Sequence, residues 1–477
     1  MCDANGQGVF SSRRPALAAV LALALPLAPS AALAQTSAVI GRVIIPGSAI
    51  NAETIVLPTS RLFHTESNDF FAEPDGTIYV QTGDIPAMWL RDSSAQSKPY
   101  VRFAQAFPKL KPLARAVIER NAKNVLIDPY ANAFTAGYKV WEEKWEVDSL
   151  AYPVTLAYTY WRRTGDRAMF SPRLHWAFER TLQTYQCEQH HARCSHYTTR
   201  FLPNGGQGAA CAETGMIWSA FRPSDDPVRY CYNIPQEMFV VVALHELAEM
   251  ATPVFGDSKL AAGASRLADE INAGIERHGT VLFPGLGEVY AYEVDGYGRF
   301  ILMDDANLPN LLAATYYGYS AANDPIYLRT RRFVLSSADP YFYNGKYATG
   351  LGSPHTPTGW VWPLGLIARG LTAQTPFEAA RVVSDIAHSD LTDGLIHESF
   401  DPNDPSRFTR AEFGWGNALY AELIFRSCAG FDPDPLPAPV QPSFGGDIAR
   451  TPVIVEPPEI WLNAENVYDE ARSLLQE

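Results

Sequence analysis

The sequence lacks the motifs of several large enzyme classes. It has no Gly-x-Ser-x-Gly nucleophile elbow, no His-Glu-x-x-His metal motif and no glycine loop that could cradle a phosphate between a strand and a helix. These absences argue against a serine hydrolase of the elbow type, a zinc protease and a nucleotide-binding enzyme. Acid–base chemistry by carboxylates remains, and sugar cleavage uses two such groups across a glycosidic bond.

Positive charge and long apolar runs are also scarce. The chain has 38 Lys and Arg against 52 Asp and Glu, a net charge of −14, which argues against a nucleic-acid partner or an anionic membrane surface. After residue 34 no apolar run approaches membrane length, so we expect no membrane span. What the sequence does have is 47% hydrophobic and 12% aromatic residues, enough for a large core and for aromatic walls of a ligand cleft.

The first 34 residues have the pattern of an export signal. Arg13 and Arg14 precede the apolar run 16–25, and the small-x-small sequence 32–34 precedes Gln35. We therefore expect a periplasmic or secreted protein, and the paired arginines suggest a signal of the twin-arginine type.

Removal of the signal would leave five cysteines. In an oxidising compartment Cys187–Cys194 and Cys211–Cys231 are plausible disulfides, with Cys428 unpaired. Zinc is the alternative, because three histidines lie beside the first pair: His190, His191 and His196.

Helical periodicity dominates the region 35–428, which we predict to be one catalytic domain. Apolar stripes at helical spacing predict helices over 113–125, 150–161, 174–185, 238–245 and 260–275, and later over 307–317, 325–336, 362–371, 376–388 and 415–426. Long loops between them favour an all-α helical toroid over a sheet protein. Thr77–Val80 is a short strand candidate, and residues 429–477 form a Pro-rich linker and tail.

The stretch 82–96 concentrates polar chemistry. It holds Trp89, Arg91 and Asp92 among several hydroxyls. Gly83 and Pro86 disfavour a helix in its first half, and Ser93 or Asp92 could cap a helix that follows. We interpret it as a binding loop at the mouth of a helix rather than a solvated turn.

Four later loops have a similar composition. Loop 218–227 has the adjacent carboxyls Asp225 and Asp226, of which one should have a raised pKa, although the same residues suit a plain turn. Loop 395–401 holds Glu398, which could equally be a surface residue. Loop 353–363 offers His355, which could be structural, and Trp360. Loop 409–417 either contributes to a site or caps a helix with its tryptophan in the core.

Five segments of this chain together resemble glycoside hydrolase family 125. They are 84–96, 221–226, 397–400, 408–410 and 415–419, and the resemblance spans about residues 44–426. It implies an (α/α)6 barrel and an exo-acting, inverting, metal-independent α-1,6-mannosidase without a cofactor. The partner would be a mannose-containing oligosaccharide or glycan.

The resemblance also implies roles for individual residues. Asp225 would be the general acid, with Asp226 as the fallback, and Glu398 the general base; for inversion their carboxyl groups should lie about 6.5–9.5 Å apart. Eight residues are predicted to contact the sugar: Trp89, Arg91, Asp92, Arg222, Asn307, His355, Trp360 and Trp415. The alternatives are another α-glycosidic specificity on the same barrel, or a periplasmic glycan-binding protein without catalysis.

Overall fold

A computed structural model describes residues 68–105, 108–389 and 395–427. The predicted signal, residues 35–67, Cys428 and the tail 429–477 lie outside the described residues. The described chain contains twelve α-helices, in order: α1 Leu90–Phe103, α2 Lys111–Ile127, α3 Val147–Thr164, α4 Pro172–Glu188, α5 His191–Cys194, α6 Ile234–Met250, α7 Ser258–His278, α8 Ala314–Tyr317, α9 Pro325–Val334, α10 Pro363–Leu371, α11 Pro376–Ser389 and α12 Gly414–Ser427.

Six of these helices, α1, α3, α6, α8, α10 and α12, form an inner ring. Helix α3 packs between α1 and α6, α8 packs on α6, and α12 packs against both α10 and α1. Helices α2, α4, α7 and α11 cover it from outside. This is the helical toroid that the periodicity predicts, and the predicted helices begin and end close to the observed ones.

Helices α6 and α7 show how sequence decides position in the two layers. Outer helix α7 buries one stripe, which includes Leu260, Leu267 and Ile271, and Asp257 caps its first turn. Inner helix α6 is apolar on nearly all sides because α3 and α7 cover opposite faces. The stretch Ile234–Phe255 is therefore long and apolar enough to cross a membrane by length and composition, and 56% of its most apolar window is buried inside the fold.

Short strands connect the helices. They pair as β1–β2, β3–β4–β5, β6–β9–β10, β7–β8, β11–β12 and β13–β14, all antiparallel where they pair. Only β2 was predicted. The strands are β1 Phe70–Ala72, β2 Ile78–Val80, β3 Met88–Trp89, β4 Ala133–Phe134, β5 Val140–Glu142, β6 Tyr232–Asn233, β7 Thr280–Phe283, β8 Gly287–Tyr290, β9 Glu293–Val294, β10 Phe300–Ile301, β11 Phe342–Asn344, β12 Thr349–Leu351, β13 Ser399–Asp401 and β14 Asp404–Thr409.

Two local predictions were wrong. The helix expected over 307–317 is helical only from Ala314, because Asp304 carboxylate oxygens accept the backbone N–H groups of Leu311 and Leu312 and replace helical bonds there. Helix α1 is not capped by Ser93 or Asp92. It begins at Leu90 with Trp89 at the cap position and no side-chain cap bond, so Arg91 and Asp92 lie inside the first turn rather than on a loop.

Both predicted disulfides are present. Cys187 is bonded to Cys194 and Cys211 to Cys231, with Cα atoms 5.3 Å and 6.3 Å apart. The zinc alternative fails here because both sulfurs of the first pair are used. Among its histidines, His191 stacks on Trp218 with ring centroids 3.6 Å apart and contacts Glu188.

The inner helices begin at one rim of the ring. At this rim Arg91 of α1 contacts Glu146, the residue before α3, and Gln236 of α6 accepts the Val147 backbone N–H. Trp415, at the start of α12, lies below Arg91. The loops that precede these helices therefore share one end of the barrel.

Candidate active site

Arg91 is the centre of a buried charge cluster at this rim. Its guanidinium contacts four carboxyl groups: Glu146 at 2.5 Å, Asp225 at 3.2 Å, Asp92 at 3.4 Å and Asp148 at 3.8 Å. Its side chain is 3% exposed. One cation cannot offset four buried anions, so part of this cluster must carry protons.

Burial determines which carboxyls keep their protons. It raises the pKa of Asp92 to about 6 and that of Asp148 to about 7, although the Arg91 charge opposes both shifts. Burial likewise raises the pKa of Glu146 well above its usual range. Asp225 is the exception: burial alone would raise its pKa, but the Arg91 charge and a hydrogen bond with Glu146 lower it.

Asp225 and Glu146 form a pair of carboxyl groups with two common partners. Both accept from the Asn132 amide, at 3.2 Å and 3.3 Å, and both contact Arg91. Glu146 is fully buried, whereas the Asp225 side chain is 18% exposed. One carboxyl of the pair is thus inaccessible, and the other reaches the cleft.

The loop that carries Asp225 is held in a fixed shape. Asp225 itself has a left-handed backbone, φ 65°. Arg222 donates its N–H to the Asp226 carbonyl, at 2.8 Å, and accepts from the Asp225 N–H at 2.9 Å. From below, Asn307 donates to the Pro223 carbonyl at 2.9 Å. This support fixes where the Asp225 carboxyl points.

The neighbouring carboxyl, Asp226, has a different environment. It lies 3.2 Å from Nδ1 of His355. Burial alone would lower the pKa of His355, but the hydrogen bond to Asp226 and the charges of Asp226, Asp225 and Glu398 raise it to about 9. The adjacent aspartates therefore have separate partners, Arg91 for Asp225 and His355 for Asp226.

Glu398 approaches the cleft from the hairpin of β13 and β14. Its N–H donates to the Thr409 carbonyl at 3.3 Å, and Arg410 lies 3.5 Å from its Oε1. Arg410 also donates to Asp84 at 2.8 Å and to the Thr82 carbonyl at 2.7 Å. Glu398 is 12% exposed, so it has access to the cleft while one guanidinium holds it.

The loops that carry Asp225 and Glu398 both contact the loop of His355. Asp226 lies 3.2 Å from His355 Nδ1, and Val361 and Phe400 exchange two backbone hydrogen bonds at 3.0 Å. The two carboxyls come from loops far apart in sequence, and the shared rim brings them together.

The predicted aromatic walls differ in position. Trp89 is 7% exposed and packs on Ala87 and Ala133. Trp360 is half-buried, with Arg407 5.6 Å from its ring centroid. Trp415 is almost fully buried, and its ring lies 5.9 Å from the Arg91 guanidinium carbon. Trp415 therefore packs in the core beside Arg91. This is the alternative prediction for loop 409–417, in which its tryptophan lies in the core.

Two predicted sugar contacts are used inside the protein. Arg222 donates to Glu293 at 2.5 Å, and this carboxylate raises its pKa against the effect of burial. The Asn307 amide donates to Pro223 and accepts from the Leu308 N–H at 2.8 Å. Both residues therefore support the protein around the Asp225 loop, and their contact with a sugar stays a prediction.

Several buried polar atoms of the rim make no hydrogen bond to a protein group in the part of the chain that the structure describes. They include Nε1 of Trp89, Oδ1 of Asp148 and Nε1 of Trp362. Such atoms normally bond to water or ligand. A mixed set of donors and acceptors suits the hydroxyl groups of a sugar.

Sequence analysis missed Glu146, Asp148 and Asn132. Glu146 and Asp148 precede and begin an apolar helix, where acids are common for their effect on the helix dipole alone. Asn132 lies between two turn residues and β4. The contacts with Arg91 and Asn132 distinguish Glu146 from an ordinary residue at a helix start.

One group in the described residues has the spacing of metal ligands: His175, Glu179 and Asp257. It lies on outer helix α4 and at the cap of α7, away from the Arg91 cluster. Asp257 accepts the Lys259 and Leu260 N–H groups and lies 2.9 Å from His175. These contacts give the group a structural role as a helix cap.

Gly83 allows two rim segments to meet. Its φ is +53°, and a Cβ there would lie 2.2 Å from the Glu412 carbonyl oxygen. We expect Gly83→Ala to lower stability by more than the roughly 1–2 kcal/mol of a left-handed backbone alone, and to lower kcat/KM because the Arg410 segment must shift. Urea unfolding and initial rates measure both.

Gly76 provides a matched control. It also has positive φ, +80°, but a Cβ there would have no neighbour within 4 Å. Gly76→Ala should lower stability only by the cost of a left-handed backbone and should leave kcat/KM unchanged. Equal losses in the two variants would contradict a role for the close approach at Gly83.

Comparisons with known proteins identify the family. The family model described as metal-independent alpha-mannosidase (GH125) matches residues 57–425. The meiotically up-regulated gene 157 protein of Schizosaccharomyces pombe is 38% identical over 386 residues, which cover 72% of this chain and 75% of that protein.

Solved structures show the same relationship. A Streptococcus pneumoniae metal-independent alpha mannosidase, in a non-productive complex with alpha-1,6-mannobiose, is 37% identical with TM-score 0.77 and covers 84% of this chain and 97% of that one. A bacterial glucoamylase bound to acarbose shares the fold at 16% identity, with TM-score 0.54 and coverage of 77% and 55%. The fold is the predicted (α/α)6 barrel, and the chain belongs to glycoside hydrolase family 125, the metal-independent alpha-mannosidases.

Proposed function

We propose that this protein releases terminal mannose from α-1,6-linked mannosides by single-step, inverting hydrolysis. The observation that carries this proposal is that the loops of Asp225 and Glu398 both contact the His355 loop, through Asp226 and through the Val361–Phe400 backbone pair. The related pneumococcal enzyme, solved with alpha-1,6-mannobiose, supports the linkage. The substrate would be a mannose-containing oligosaccharide or glycan.

Asp225 acts as the general acid. It is the exposed member of the pair with Glu146, so it can reach the glycosidic oxygen while Glu146 stays buried. A bound sugar excludes water from Asp225 and favours its neutral form. The proton held by the pair then moves to Asp225 and from there to the leaving oxygen, as the glycosidic bond breaks.

Glu398 acts as the general base. Arg410 lies 3.5 Å from its Oε1 and orients its carboxylate. Glu398 takes a proton from water as that water attacks the anomeric carbon from the face opposite the leaving group. Arg91, Asp92 and Trp89 would bind hydroxyls of the terminal mannose.

Proton NMR of the first-formed sugar tests this reaction. With α-1,6-mannobiose we expect β-mannose first, followed by mutarotation. A first-formed α-anomer would overturn inversion. In a panel of α-linked mannobioses and glucobioses, preference for another linkage would favour the broader (α/α)6 specificity, and binding of mannobiose without any release of mannose would favour a glycan-binding protein.

We also propose a periplasmic or secreted location. Two disulfides in the described chain suit an oxidising compartment, as does the pattern of residues 1–34. Fractionation of cells that express the full chain tests this proposal, and retention in the cytoplasm would contradict it.

A further inference from the structure

Strand β5 leads from the active site towards the surface. It is the outer strand of the sheet β3–β4–β5, so one of its edges has no strand partner among the described residues. In its pairing with β4, Ala133 lies opposite Glu142 and Phe134 lies opposite Val140, which makes Trp141 the extra residue of a bulge. Bulges of this kind often lie beside active sites, where they redirect a side chain.

Glu142 connects β5 to the proposed general acid. The Asn132 amide nitrogen donates to Oε2 of Glu142 at 3.2 Å and to Oδ1 of Asp225 at 3.2 Å. Glu142 also pairs with Lys144 at 2.8 Å, and both of these side chains are partly exposed. A charged pair with access to solvent therefore lies beside the carboxyl that would protonate the leaving oxygen.

Exposure increases along this path. Arg91 is buried and Asp225 is partly exposed, whereas Trp141, which directly precedes Glu142, is 49% exposed. An enzyme that removes a terminal sugar holds that sugar deepest, so the rest of the glycan extends past the acid towards solvent. The path from Asp225 through Glu142 to Trp141 runs in the same direction.

Two large aromatic side chains are exposed near the end of this path. Trp141 makes no hydrogen bond and no stacking contact with any other residue that the structure describes. Phe201 is about half exposed and meets the Phe221 ring edge to face, with centroids 5.7 Å apart. Lys144 lies 5.7 Å from the centre of the same Phe221 ring. Exposed apolar groups that gather beside polar ones are typical of ligand-binding grooves.

We propose that Trp141 is a platform for the sugar beyond the departing mannose, so that the protein prefers mannosides of three or more sugars. The flat face of an indole covers the C–H face of a sugar ring. Glu142 accepts and Lys144 donates hydrogen bonds to hydroxyls of the departing sugar. This inference rests on the proposed function, because it takes Asp225 as the acid beside the leaving group.

Initial rates of mannose release from α-1,6-mannobiose and linear α-1,6-mannotriose test the platform. In the trisaccharide alone a sugar follows the departing one and can cover Trp141. For the wild-type protein we expect kcat/KM to be about tenfold higher on the trisaccharide, since binding energy from a remote contact also accelerates the reaction. Trp141→Ala should reduce this ratio to about one, and Trp141→Phe, which keeps a flat ring, should retain most of it.

Trp176 provides a matched control. Its indole is also about half exposed, but it lies on outer helix α4. Trp176→Ala should keep the wild-type ratio between the two oligosaccharides. An equal fall of the ratio in Trp176→Ala and Trp141→Ala would contradict the platform, as would a wild-type ratio in Trp141→Ala.

Calorimetry on Glu398→Gln separates this inference from the proposed function. In that variant mannotriose should bind about tenfold more tightly than mannobiose, and adding Trp141→Ala should remove the difference. Equal kcat/KM of the wild-type protein on both oligosaccharides would overturn the platform and leave the hydrolysis in place. If the wild-type protein releases mannose from neither, the proposed function fails instead, and equal affinities for the two oligosaccharides would then overturn the platform as well.

Discussion

Glu398→Gln should reduce kcat on α-1,6-mannobiose by about 10²–10⁴-fold, the range for loss of a general base. The amide keeps the size of the side chain and can still accept from Arg410, which lies 3.5 Å from Oε1 in the wild-type protein. It cannot take a proton from the attacking water. Because substrate contacts remain, KM should change far less than kcat.

A matched control lies on the same hairpin. Asp401 ends β13 and pairs with Arg407 at 2.8 Å, so Asp401→Asn removes a nearby negative charge outside the proposed reaction. It should retain near-wild-type turnover. Near-wild-type turnover in Glu398→Gln, with a native circular dichroism spectrum, would rule out Glu398 as the base.

Asp225→Asn should produce the second large loss, about 10²–10⁴-fold in kcat on mannobiose. The loss should shrink for an aryl mannoside whose leaving group is a weak base, because that oxygen departs without a proton. This dependence on the leaving group distinguishes an acid from a residue that only binds sugar. Rates on the two substrates, measured side by side, provide the test.

Asp226→Asn is the control, because it changes the adjacent carboxyl, which lies 3.2 Å from His355. It should show a smaller loss that is similar for both substrates. If Asp226→Asn instead shows the leaving-group dependence and Asp225→Asn does not, the fallback assignment is correct and the pair with Glu146 has another purpose.

The pH profile follows from the same pair. The active form carries the shared proton, and burial raises the pKa of Glu146 well above its usual range. Wild-type kcat/KM should therefore fall as pH rises through the pKa of the pair, and Asp225→Asn should lose this basic limb.

Helical periodicity was enough to predict most of the fold. Stripes such as that of α7, with Leu260, Leu267 and Ile271, are buried as expected. The segment before α8 could not be read this way, because the Asp304 carboxylate competes for the N–H groups of Leu311 and Leu312. The start of α1 also escaped prediction, since Trp89 occupies the cap position without a cap bond.

The candidate site residues could be predicted from the sequence only where they lie in a segment that resembles the family. Arg91, Asp225 and Glu398 lie in segments that resemble the family. Glu146 lies in none of the quoted segments, and an acid before a helix is common. Its importance depends on a 2.5 Å contact with a residue 55 positions away, which no local pattern encodes. Motif and position likewise did not reveal that Arg222 contacts Glu293 and that Asn307 contacts the Pro223 carbonyl.

Asp225 and Glu398 lie on segments that precede the inner helices α6 and α12, and not within those helices. Helix packing and substrate selectivity therefore depend on different parts of the chain. An insertion or exchange in the segment of Trp360, for example, would change the shape of one wall of the active-site cleft. The packed interfaces between α1, α3 and α6 would stay as they are. Chimeras that exchange single connecting segments with related barrels should therefore fold, and they offer a route to altered linkage preference one segment at a time.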